Sequence, residues 1–123
     1  MAKLLYHDLS YQVIGICFKV HSTLGAALPE HCYHHALEME LLKADLMFTS
    51  NQRLYVYYDN AQVGHFYTDI IVDNKIILEL KSDERITSRH ESQLFTYLHS
   101  TGLRVGYIVN FGTSHLQFKR LIL

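Results

Sequence analysis

Between Tyr67 and Lys81 the chain reads Tyr-Thr-Asp-Ile-Ile-Val-Asp-Asn-Lys-Ile-Ile-Leu-Glu-Leu-Lys. Ile70, Ile71 and Val72 lead into Asp73-Asn74, and Ile76, Ile77, Leu78 and Leu80 lead out. Apolar runs on either side of a turn dipeptide predict two strands covered on both faces. Such strands have no place for an unpaired charge, because burying a lone carboxylate costs several kcal/mol. Yet Asp69, Glu79 and Lys81 lie inside them. Two carboxylates and an ammonium converging from neighbouring strands suggest a site for a divalent cation and a phosphate. The competing reading is a buried ion-paired network without a ligand.

Register decides between these readings. A two-residue turn at Asp73-Asn74 sets Asp69 opposite Leu78 and sends Glu79 to the other face. A three-residue loop, Asp73 to Lys75, sets Asp69 opposite Glu79, with Lys81 on the same face. A shared site requires the second register, and that is the one expected.

The 123 residues, with 49% hydrophobic and 19% charged content, are expected to form one domain, 1–123, with a proper core. No apolar run reaches the roughly 18 residues of a membrane span, and the first residues lack the pattern of a signal peptide. Cys17 and Cys32 are expected to be reduced, buried thiols on helices of a cytosolic protein, with no disulfide framework. A net charge of −1 argues mildly against tight non-specific binding of nucleic acid. A local basic patch of Lys81, Arg85 and Arg89 is compatible with it.

Helical spacing of Leu9, Val13, Ile16, Cys17, Val20 and Leu24 predicts a first helix from Asp8 to Leu24, capped by Asp8 or Ser10 and stopped by Gly25. His21, at the edge of that stripe, is either half-buried against a backbone group or part of the site. A second helix is expected from Pro29 to Ala44. Glu30 lies on its inward face with Tyr33 and Leu37, either as a first-turn carboxylate favoured by the helix dipole or aimed at the site. His31 and His35 have the spacing of two zinc ligands, without an evident third and fourth. Strands follow from Leu46 to Tyr58, Gln62 to Val72 and Lys75 to Lys81, an antiparallel meander. Ser88 and Glu91 fit a capping box that opens a third helix to Thr101. Gln93 and Tyr97 are four apart on it, facing the strands or forming its polar edge. Leu103 to Phe111 is a fourth strand, expected parallel to the third because a helix links them, and Leu116 to Leu123 a final edge strand.

In this setting Asp69 followed by Glu79-Leu80-Lys81 resembles the D…(D/E)-x-K signature of the PD-(D/E)XK, or restriction-endonuclease-like, nucleases. Gln93-Leu94-Phe95-Thr96-Tyr97 resembles the Q-x-x-x-Y element of their RecB-like branch. From Tyr6 to Leu123 the chain resembles the small GxxExxY proteins of that superfamily, whose motif maps onto Ala27 to Tyr33, with Ala27 at the first glycine.

The resemblance implies an α/β, restriction-endonuclease-like core: two N-terminal helices, a three-stranded antiparallel meander, a crossover helix and two further strands in a mixed sheet. It implies phosphodiester hydrolysis with Mg²⁺ or Mn²⁺ held by Asp69, Glu79 and the Leu80 carbonyl, with Glu30 completing the shell or holding a second metal through water. Lys81 would neutralise developing charge, and Gln93 and Tyr97 would orient a carboxylate, a water or a phosphate oxygen. The resemblance also supports a site role for His21. The expected partner is nucleic acid, DNA rather than RNA, with Lys81, Arg85 and Arg89 contacting it. Little surface for a duplex on so small a domain favours a homodimer. Two alternatives stand: a nuclease-fold module that binds nucleic acid or a protein without cutting, and a metal protein built on His31 and His35.

Overall fold

The computed structural model describes residues 4–123. Two helices come first: α1 (His7–Leu24) and α2 (Glu30–Lys43). Strands β1 (Phe48–Tyr58), β2 (Ala61–Val72) and β3 (Ile76–Lys81) form the meander, and α3 (Ser88–Thr101) leads to β4 (Val105–Asn110) and β5 (Gln117–Ile122). The sheet order is β1-β2-β3-β4-β5, with only the β3–β4 pairing parallel. This is the α/β, restriction-endonuclease-like arrangement expected from the sequence.

Around β3 and β4 the sheet is covered on both faces. Ile70, Val72, Ile76, Leu78, Leu80, Val105 and Val109 pack with Val13, Cys17, Tyr33, Leu37 and Leu41 of α1 and α2. Ile71, Ile77, Ile108 and Leu121 pack on the opposite face with Leu94 and Leu98 of α3. Period-two side chains on β3 and β4 therefore have an apolar layer on either side, which is why these strands read as unbroken apolar runs. Burial pushes the Cys17 thiol up to about 12, keeping it protonated; both cysteines are free, but Cys32 is only half-buried, against the expectation of two buried thiols. No helix among the described residues is long and apolar enough to cross a membrane.

Helix ends depart from expectation. The α3 capping box is Thr87 with His90, one residue earlier than Ser88 with Glu91: His90 N–H donates to the Thr87 hydroxyl, and Thr87 N–H to His90 Nδ1. Imidazole Nδ1 accepts a hydrogen bond as a Glu carboxylate does at this position. Neither Asp8 nor Ser10 caps α1. Tyr6 holds the cap position with φ 56° and no side-chain bond.

The turn between β2 and β3 uses Asp73 and Asn74 at positive φ, and Lys75 N–H donates to the Val72 carbonyl. Val72 then pairs with Ile76 and Ile70 with Leu78. Three residues thus lie in the loop, as the second register requires, and the paired ladder ends at Ile70 and Leu78, one residue short of Asp69 and Glu79.

β1 and β2 run on as a two-stranded ribbon beyond β3, since β3 pairs only with Ile70 to Val72. The ribbon also turns over. Ser50 faces α2, donating its hydroxyl to Glu38, and Phe48 packs with the α1–α2 core. Four residues on, Leu54 packs on the α3 side, and its cross-strand partner Phe66 stacks on Tyr97. Alternation alone would keep Ser50 and Leu54 on one face. Between them lies Asn51, at φ 51° and opposite Asp69, where the ladder is interrupted.

Candidate active site

The site occupies the seam where β2 leaves β3. Past Ile70↔Leu78 the ladder opens, and the next backbone donor, Leu80 N–H, is taken by Asp69 Oδ2 at 2.8 Å. The side chain replaces the missing carbonyl of the neighbouring strand, which satisfies a buried N–H and fixes the carboxylate. Glu79 is 5% exposed, and its Oε1 has no hydrogen-bond partner. Burial first and the Asp69 charge second raise its carboxyl to about 8, against the pull of Lys81 and the nearby Asp69 N–H. Thr68 Oγ1 is buried and unpartnered one residue from Asp69.

Glu30 approaches from the start of α2. Partial burial, then the Asp69 charge, raise its carboxyl while Lys81 lowers it. Its placement depends on the preceding loop. Tyr33, wholly buried and stacked on Phe111 at 4.3 Å, donates its hydroxyl to the Gly25 carbonyl and accepts from Leu28 N–H. Ala27 has φ 63°, the left-handed conformation that glycine adopts without strain. Ala27 thus forms a tight bend, Tyr33 anchors it, and the bend leads Glu30 to where the Asp69 and Lys81 charges act on it.

From the other side, Lys81 Nζ donates to Gln93 Oε1 of α3 at 3.4 Å. Burial and the charges of Glu79 and Asp69 raise the Tyr97 phenol, opposed by Gln93. Asp69, Glu79, Lys81, Glu30, Gln93 and Tyr97 are therefore brought to one seam by four elements. The Leu80 side chain points into the α1–α2 core. Arg89 shares His90 as a neighbour with Lys81, and both cations lower that imidazole, after burial, while Asp83 raises it. Arg85 borders a separate hollow with Ile86 and Phe118. His21 lies buried at the end of α1, its Nε2 at 2.9 Å from the Thr113 carbonyl and no site residue bonded to it. His35 bonds Glu38 at 3.0 Å, and its ring lies 6.4 Å from that of His31. Among the described residues no three His, Cys, Asp or Glu side chains stand close enough to enclose an ion unaided.

Two positioning residues escaped the sequence reading. Asn110, wholly buried at the end of β4, accepts from Asp83 N–H and Gly112 N–H and donates to the Asp83 carbonyl and Gln117. It holds the loop that follows Lys81, whose own carbonyl accepts from Phe111 N–H. A lone amide ending the apolar run Val105 to Val109 was the available signal. Ser82 donates to the Leu28 carbonyl at 2.6 Å, tying that loop to the Glu30 bend; an isolated serine carries no signal.

Two solved structures share this fold. The crystal structure of SSO0001 superposes with a TM-score of 0.56 at 17% identity, covering 93% of this chain and 61% of that one. The crystal structure of an alkaline exonuclease from Laribacter hongkongensis superposes with a TM-score of 0.55 at 14% identity, covering 99% of this chain and 72% of that one. This chain therefore spans only part of either protein, and at these identities the likeness is one of fold. No curated protein matches the sequence. The model of the PD-(D/E)XK nuclease superfamily matches residues 7–121, nearly the whole chain, and the chain belongs to that superfamily.

Proposed function

We propose that the protein is a divalent-metal-dependent nuclease that hydrolyses phosphodiester bonds in DNA, as a member of the GxxExxY group acting as a homodimer of one-domain subunits in the cytoplasm. The observation that carries this reading is the buried Glu79 carboxylate with an unpartnered oxygen, next to an Asp69 held by one oxygen only. A buried polar atom without a partner is rare in a native structure and calls for an explanation. A hard cation supplies one.

The donor set fits Mg²⁺. Asp69, Glu79 and Glu30 offer carboxylate oxygens and Leu80 a carbonyl, with no soft ligand among them. Mg²⁺ keeps several waters and needs only one or two carboxylates, so an incomplete protein cage suits it better than it suits zinc. When bound, the ion would polarise the scissile phosphate and acidify a coordinated water. The residues do the rest. Asp69, locked by Leu80 N–H, and Glu79, locked by burial, hold the ligand oxygens still. Lys81, steadied by Gln93, places its ammonium where charge develops on the phosphate. Tyr97, one face stacked on Phe66, stands beside Gln93 on the α3 side of the seam.

The test is cleavage of single-stranded, duplex and nicked DNA over a Mg²⁺ or Mn²⁺ titration, with Asp69→Asn, Glu79→Gln and Lys81→Ala beside wild type. Each variant should lose about 10²- to 10³-fold or more in rate, the scale of removing one charge-stabilising group. Metal binding by wild type without cleavage of any substrate would replace the enzyme with a binding module. Cleavage that survives all three substitutions would move the chemistry elsewhere.

A further inference from the structure

We infer that the open face of the β1–β2 ribbon is a stacking platform for unpaired bases, so that the substrate reaches the seam as a nucleic-acid strand with exposed bases. This rests on the nuclease reading and narrows its substrate.

The ribbon has one occupied face and one free face. Leu54 and Phe66 are cross-strand partners, and Phe66 lies flat on Tyr97 at 4.3 Å and 3°. The neighbouring pairs, Arg53 with Tyr67 and Tyr55 with His65, point the other way. All four are exposed; Tyr55 and Tyr67 are 42% and 48% so. The Arg53 guanidinium lies 5.5 Å from the Tyr67 ring centre and donates to the Tyr67 hydroxyl at 2.7 and 2.9 Å. The His65 ring meets Tyr67 edge-on at 5.7 Å. Among the described residues no carboxylate pairs with Arg53 within salt-bridge distance.

The next pair along the ribbon is Asn51 opposite Asp69. Both line a polar hollow of about 450 Å³ with Glu30, His31, His34 and His35. From Tyr55 to Asn51 is four residues, about 13 Å at strand rise. A strand lying on the aromatic face is therefore led straight to the candidate ligands.

Three classes of occupant differ in what this face offers them. Exposed rings on an antiparallel sheet reward unpaired bases, whose π-faces are free; in a duplex those faces are covered and the rings gain little. An anion would meet Arg53, the one full positive charge of this face, while Asp59, the only carboxylate between Thr49 and Thr68, lies away at the ribbon tip. A second copy docking the same patch would bury two Arg53 guanidinium groups in one interface with no carboxylate of the patch to pair with either.

The experiment is binding of a fluorescein-labelled oligothymidylate and of a labelled duplex of equal length, in chelator so that nothing is cut. Wild type is compared with Tyr55→Ala, Tyr67→Ala, Tyr55→Phe and Tyr67→Phe, and metal-dependent cleavage by wild type is measured in parallel. Tighter wild-type binding of the oligothymidylate, weakened about five- to a hundredfold by each alanine and less than about twofold by each phenylalanine, is the expected result. Unchanged binding by the alanine variants, preference for duplex, or equal loss in phenylalanine and alanine variants overturns the platform; the nuclease reading survives if wild type still cuts. A wild type that neither binds nor cuts any nucleic acid removes both. Sedimentation showing a dimer that Tyr55→Ala dissociates overturns the platform in favour of a subunit contact.

Discussion

β3 and β4 bury every residue except Lys81, whereas β1 buries none and β2 only from Thr68 onward. One half of the sheet is held between helices on both faces. The other is a two-stranded ribbon with one aromatic face against α3 and one in water. The difference explains where charges are tolerated. Inside the enclosed half a carboxylate would have no partner; on the open ribbon it would not be held. At the seam a carboxylate borrows rigidity from β3 and access from β2, and there Asp69 and Glu79 stand. Loss of ladder hydrogen bonds is what makes room, because the Leu80 N–H freed by the opening is the group that orients Asp69.

Stability should divide along the same line. Ile77→Ala removes a fully buried side chain from between β3 and α3 and should cost about 2–5 kcal/mol, read from urea denaturation. A cost below about 1 kcal/mol would mean that the enclosed half is as loose as the ribbon, and the contrast would collapse.

The seam has its own signature in the metal-free protein. The folded Glu79 carboxyl, at about 8, lies above its ordinary value of 4.5. Between those values the folded chain holds a proton that the unfolded chain has released, so stability falls as pH rises. The contribution is complete below about 4.5 and is lost as pH passes through about 8. Its size is a few kcal/mol at most. Melting temperatures in chelator at pH 6 and pH 9 should differ more for wild type than for Glu79→Gln, which cannot titrate. Equal pH dependence in the two proteins would place Glu79 in water instead of in the seam.

Strain also marks the bend between α1 and α2 that leads into Glu30. Ala27 holds φ 63°, a conformation that costs a residue with a Cβ roughly 1–2 kcal/mol. Glycine has no such penalty but loses more freedom on folding. Ala27→Gly should therefore raise stability by about 1 kcal/mol or less, measured by thermal melting. A decrease would show that the Ala27 methyl packs well enough to outweigh its backbone.

Much of this architecture was readable because it rests on period and punctuation. The runs around Asp73-Asn74, the stripe Leu9 to Leu24 and the linking helix before β4 gave the elements, their order and the parallel pairing. The β2–β3 register was readable only by asking what would bring Asp69 and Glu79 together, since turn chemistry alone allowed two answers. The overturning of the ribbon was not readable. Nothing local marks Asn51 for a left-handed conformation beyond the general tolerance of Asn, and the change of face depends on α2 and α3 lying on opposite sides. The cap at Thr87 was missed because His was not weighed as an acceptor. Asn110 was missed because its four hydrogen bonds reach Asp83, Gly112 and Gln117, and no spacing rule joins β4 to the loop after β3.

The smallest expected effect is also the sharpest test of the contrast. Tyr57 and Tyr58, near the ribbon tip, are 63% and 70% exposed. Replacing either with alanine removes little area from contact and forfeits only part of the strand preference of an aromatic residue. Each should change stability by less than about 0.5 kcal/mol in urea, the usual range for surface positions. The ribbon already has its support in Phe66 on Tyr97, so its tip carries rings for which folding has no use. A cost near that of Ile77→Ala would mean these rings are packed in solution against a second copy of the chain. The open half would then be a covered one, and the asymmetry that locates the site would belong to the isolated subunit alone.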